Sequence, residues 1–88
     1  MIIKAFDWDD INREHINKHQ VGPDEVEESF AGKHHLFTAR DGRHILLGRS
    51  VSGRYLFIVF EYKSAGVIYT VTARDMSSGE RRLHRRKI

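Results

Sequence analysis

The spacing of apolar positions along this chain changes near residue 32 from mostly helical to extended, before a last short helical stretch. At the start, Phe6 and Trp8 alternate with charged neighbours, so residues 2–8 read as a short strand or an apolar arm. Asp9 or Asp10 can cap a helix whose apolar and semi-apolar positions are Ile11, His15, Ile16 and His19, with an end near Gln20. Gly22-Pro23-Asp24-Glu25 opens a second helix: proline suits the first helical position, and acids suit the positive end of the helix dipole. Val21 and Val26 stand where a hydrophobic staple would hold that entry, Val26 and Phe30 form the buried stripe, and Gly32 ends the helix.

Beyond Gly32 the pattern predicts four strands. Residues 35–40 and 43–50 flank Asp41-Gly42, a tight-turn dipeptide that signals a hairpin. Residues 54–62 follow Ser52-Gly53 and are nearly continuously apolar, which predicts a central strand covered on both faces. Residues 67–74 follow Ser64-Ala65-Gly66 and are β-branched and aromatic. Ser77 and Glu80 then form a capping-box pair ahead of a final helix over residues 78–86. The connections between strands are too short for crossovers. The expected fold is therefore α+β: an antiparallel four-stranded meander with two N-terminal helices and one C-terminal helix.

Length and composition bound this picture. Eighty-eight residues fit a single domain, taken as 1–88, and 40% hydrophobic residues with nine aromatics supply one modest core. A domain of this size buries only about 60–65% of its unfolded surface, so partners matter to its stability. Cysteine is absent, which excludes disulfide scaffolds, cysteine-bound metals and thiol nucleophiles. No apolar run is long enough for a membrane helix and no signal-peptide pattern opens the chain, so the expectation is a cytoplasmic protein with no membrane partner.

Charge is unevenly divided. Residues 1–30 carry three basic against eight acidic residues, a net of −5, and residues 31–88 carry twelve against four, a net of +8. Arginine outnumbers lysine ten to five, and its planar fork of donors suits phosphate. Either the basic half meets a polyanion or it balances the acidic half. Arg43, Arg49, Arg54 and Arg74 stand in or beside strands, where arginine is not favoured. Alternate strand ends meet at one edge of a meander, so several of these groups can converge on an anion. The tail residues Arg81, Arg82, Arg85, Arg86 and Lys87 exceed what a helix C-terminus needs, and suit contact with a nucleic-acid backbone.

Metal chemistry finds little support. His15 and His19 share a helix face at zinc-ligand spacing, but no glutamate follows His15 and no third ligand is placed. His34 and His35 are adjacent, and on a strand they point to opposite faces. No cofactor and no metal is expected.

Several blocks occur in order along the chain: Phe6-Asp7-Trp8-Asp9, Asn12, Lys18-His19-x-Val21, Glu25-x-x-x-Ser29-Phe30, Gly48-Arg49-Ser50, Gly53-Arg54-Tyr55-Leu56, Val59-Phe60, the run Ile68 to Met76, and Glu80-Arg81-Arg82. Together they resemble the BrnT family of bacterial toxins across nearly the whole length. That resemblance implies a RelE-like fold and the toxin role in a type II toxin–antitoxin pair. It implies metal-independent endoribonuclease activity, in which the ribose 2′-hydroxyl attacks the adjacent phosphate. It also implies a cognate antitoxin, a small ribbon-helix-helix protein through which alone the toxin meets operator DNA. Gln20 stands where the family usually has glycine, and His84 where it usually has an aromatic residue. On this reading Arg54, Arg74 and Arg49 stabilise charge on the phosphate, and His19 or Lys18 transfers the proton. Arg43, Arg81, Arg82, Arg85, Arg86 and Lys87 bind the RNA. The same basic face would equally serve a non-catalytic module that binds nucleic acid or an acidic protein.

Overall fold

In the computed structural model, which describes residues 2–87, the chain runs β1 (Ala5–Phe6), α1 (Asp10–Asn17), α2 (Pro23–Ala31), β2 (His35–Thr38), β3 (Arg43–Arg49), β4 (Tyr55–Ser64), β5 (Val67–Asp75), α3 (Ser78–Lys87). The strands form one sheet in the order β1-β5-β4-β3-β2. β2 to β5 pair antiparallel with their neighbours, as short turns require. The sheet is nevertheless five-stranded and mixed, not the four-stranded antiparallel one that the spacing predicts, because β1 pairs parallel to β5. Two residues carry no periodicity. Their strand is fixed by long-range bonds: the amides of Lys4 and Ala5 both donate to the carbonyl of Gly66, and that of Asp7 to Ile68.

Local chemistry sets the helix ends. Asp9 caps α1 by accepting from the Asn12 amide at 2.9 Å, while the Asn12 side chain accepts from the Asp9 amide at 2.8 Å. α1 stops at Asn17, short of Gln20, which turns left-handed at φ 58°. An L side chain is disfavoured there, and this is the position where glycine would fit without strain. α2 begins at Pro23 behind Gly22, whose amide donates to Glu25 Oε1 at 3.0 Å. Asp41 and Gly42 both take positive φ, the geometry of a two-residue hairpin turn.

Strand alternation divides the sheet into two unlike faces. Leu56, Ile58 and Phe60 of β4 are buried with Leu46 of β3, Ile68 and Ala73 of β5, Ile16 of α1, and Val26 and Phe30 of α2. The other residues of β4, from Tyr55 to Val59, are only half-buried. The continuous apolar run therefore does not mean equal cover on both faces. α1 and α2 shield one face in full. α3 reaches the second face at one end, where the His84 ring meets Tyr55 edge-on at 6.0 Å between centroids. Among the described residues no helix is long and apolar enough to cross a membrane.

Candidate functional site

The arginines singled out from the sequence do not form one cluster. Arg54 precedes β4 and turns toward the helical side. Its Nε and Nη2 donate to Asp75 at 2.7 and 3.2 Å, its Nη1 to the Gln20 carbonyl at 2.6 Å and to Glu25 at 3.2 Å, and its Nη2 to the His19 carbonyl at 3.0 Å. All five N–H donors are thereby engaged. The Arg54 guanidinium beside Asp75 holds that carboxyl below the usual carboxylate range. Arg54 ties the α1–α2 turn and the end of β5 together, and a phosphate would have to displace these partners. Lys18 and His19 belong to the same corner, on the helical side of the sheet.

Arg74 lies on the opposite face. It pairs with Glu80 through two bonds of 2.9 and 3.0 Å, and its guanidinium carbon stands 4.0 Å above the Phe57 ring. Glu80 also accepts from the Ser77 amide at 2.8 Å, so Arg74 reinforces the α3 cap. Hydrogen bonding to Arg74 keeps Glu80 below its ordinary range. Arg43 is paired with Glu61 at 3.3 Å and begins β3, whereas Arg49 ends it. At about 3.3 Å per residue those two lie roughly 20 Å apart.

The remaining cations do converge. Arg49 and Tyr55 are directly opposite in the β3–β4 ladder, on the face away from α1 and α2. Arg49 lies over the Tyr55 ring at 4.9 Å and Arg81 at 4.4 Å. Beside this stack is a cleft of about 640 Å³ between the end of α2, the β3–β4 turn and α3. Lys33, Arg49 and Arg85 bring positive charge to it, Ala31, Val51 and Tyr55 form apolar wall, and His84 stands at the α3 side. Glu28 is its one acidic lining residue, and its carboxylate accepts from the Val51 amide at 3.0 Å. Among the described residues Lys33, Arg49 and Arg85 take part in no salt bridge; those that form join Arg43, Arg54 and Arg74 to acids. A second, all-basic groove beside it is formed by Arg82, Arg85 and Arg86 with Gly79.

Comparison of the chain with family models, with curated proteins and with solved structures returns no match. The chemistry of the cleft is thus read from its own residues.

His84 is the residue to which the sequence assigns no role and the structure a prominent one. It is 5% exposed, and its Nδ1 is buried without a hydrogen-bond partner. Burial, then the charges of His35 and Arg49, push its imidazole below the ordinary histidine range, so the ring is neutral at pH 7. A buried polar group left unpaired is uncommon and costly, and here it belongs to a residue that lines the cationic cleft. The signal in the sequence is a lone histidine where an aromatic residue is expected. The partner that would complete the pattern, Tyr55, is 29 positions away. Lys33 and Tyr55 escape as site residues too: Lys33 lies in no charge run or motif, and Tyr55 enters only as part of the block Gly53-Arg54-Tyr55-Leu56. His15 has its Nδ1 3.2 Å from the Val71 carbonyl, and among the described residues no three His, Cys, Asp or Glu side chains gather as a ligand set.

Proposed function

We propose that this protein is an endoribonuclease acting without metal, the toxin of a type II toxin–antitoxin pair with a RelE-like fold, working in the cytoplasm at the cleft beside Tyr55. The observation that carries this reading is the gathering of Lys33, Arg49 and Arg85 around an apolar cleft with no competing ion pair among the described residues. The ordered resemblance to BrnT toxins supports it. Lys33 and Arg85 hold the scissile phosphate and stabilise the pentacoordinate transition state, in which charge develops on the non-bridging oxygens, with Arg49 beside them over Tyr55. The 2′-hydroxyl forms the new O–P bond as the bond to the 5′-oxygen breaks, the 2′-hydroxyl proton passes to the neutral imidazole of His84, and the departing 5′-oxygen takes a proton from water. The groove of Arg82, Arg85 and Arg86 extends the cationic track for RNA on either side. The partner is a ribbon-helix-helix antitoxin, and operator DNA is met through it alone.

Purified protein incubated with single-stranded RNA in EDTA is the test. Cleavage leaving 2′,3′-cyclic phosphate ends, reduced about 10²–10³-fold in Arg85→Ala, is the expected result. RNA binding with no cleavage would instead favour the non-catalytic module. Unimpaired bacterial growth at full soluble expression would count against the toxin role.

A further inference from the structure

We propose that the cleft is a subsite for a single unpaired ribonucleotide, with its base on the Arg49–Tyr55 stack, its phosphate on Lys33 and Arg85, and its 2′-hydroxyl on His84. This rests on the nuclease reading of the same cleft. Three observations lead to it. A cleft of about 640 Å³ has the size of small-ligand sites, which run from about 300 to 1,000 Å³. Its walls divide by chemistry: Ala31, Val51 and Tyr55 offer apolar surface, Arg49 a guanidinium over the Tyr55 ring, and Lys33 and Arg85 charge. A nucleotide divides in the same way. Unstacked bases commonly rest on guanidinium planes as well as on aromatic rings, and Arg49 stands over Tyr55 at 4.9 Å with its Nε held by the Gly53 carbonyl at 3.2 Å. The third observation is the unpartnered imidazole. His84 lines the cleft with its Nδ1 sealed inside the protein, so we assign its contact with a ligand to Nε2. A ribose hydroxyl beside the phosphate supplies a group that a bare phosphate, a carboxylate or a deoxyribose lacks.

The inference makes the protein selective for unpaired RNA, since a base held in a duplex cannot reach the stack without leaving its partner. Titration calorimetry with adenosine 3′-monophosphate, uridine 3′-monophosphate, their 2′-deoxy counterparts and inorganic phosphate tests it. The ribonucleotides should bind at least tenfold more tightly than phosphate. The gain should vanish in Tyr55→Leu, and in Arg49→Ala if the first variant melts early. The preference of ribose over deoxyribose should vanish in His84→Leu. Equal affinity for nucleotide and phosphate in the wild type overturns the proposal, as does an undiminished gain in a folded Tyr55→Leu. Equal affinity for ribose and deoxyribose removes His84 from it. RNA cleavage without mononucleotide affinity sinks this inference and spares the nuclease reading. Mononucleotide affinity without cleavage does the reverse.

Discussion

Replacing Arg54 with alanine should unfold the protein at a much lower temperature and should act on function only through the fold. The side chain is about a quarter exposed and joins four partners from three parts of the chain: the His19 and Gln20 carbonyls, Glu25 and Asp75. Asp75 is 63% exposed, so its ion pair is largely screened and contributes little, about 0–1 kcal/mol. The charge-assisted bonds to the two carbonyls and to Glu25 contribute more. With hydrogen bonds to charged groups worth roughly 1.5–3 kcal/mol each, and not fully additive, a total loss of about 3 kcal/mol follows. For a domain of this length that corresponds to a drop in Tm of roughly 12–24 °C. Circular dichroism melting of wild type, Arg54→Ala and Arg54→Lys measures it. Lysine should recover little, since one ammonium cannot reach all four acceptors. The pH dependence has a definite sign. The folded-state pKa of Asp75 is depressed, so its stabilising effect is present above about pH 3.9 and is lost as pH falls through the folded value. The gap between wild type and Arg54→Ala should be steady from pH 5 to 8 and shrink in acid. A variant that melts within a few degrees of wild type yet loses activity would refute this reasoning and return Arg54 to the phosphate.

Other outcomes follow from single positions. Gln20→Gly should raise Tm by a few degrees, because a left-handed backbone costs an L residue about 1–2 kcal/mol and glycine avoids that, less its own entropy; an unchanged or lower Tm would show that the Gln20 side chain matters. His84→Leu should flatten the decline in stability between pH 7 and pH 5. The depressed pKa leaves the native ring neutral while the unfolded chain takes up a proton below about pH 6.5, and parallel pH profiles would refute this. Exchanging Arg85, Arg86 and Lys87 for glutamine should flatten the log–log salt dependence of RNA binding by about 0.7 for each phosphate no longer neutralised, and an identical slope would remove this segment from the RNA track.

Local rules in the sequence reach the elements well and the site poorly. The boundaries of α2, the Asp41-Gly42 turn and the Ser77–Glu80 cap depend on residues a few positions apart, and a linear reading sees those. β1 depends on Gly66 and Ile68, some sixty residues on, and is legible only as an apolar stretch. Arg54 illustrates the main limit. As a basic residue at a strand end it suggests an anion ligand, but Glu25 and Asp75, 29 and 21 positions away, satisfy it inside the fold. Part of the charge division between the halves is neutralised in this way. Arg49, in the same kind of position, meets an aromatic ring in place of a carboxylate. Nothing in the spacing of charges distinguishes the two; only the side of the sheet on which each side chain falls does so.

The parallel pairing of β1 with β5 also orders events in time. Of the five described strands β1 is made first, yet its partner is the last of them, and α3 with His84 and Arg85 comes later still. A nascent chain therefore holds Lys33, Arg49 and Tyr55 before it has the helix that walls the cleft. The sheet edge is completed only once β5 is made, and the cleft after it. Whatever the cleft binds, it can bind only after α3 has followed β5 and docked against the sheet.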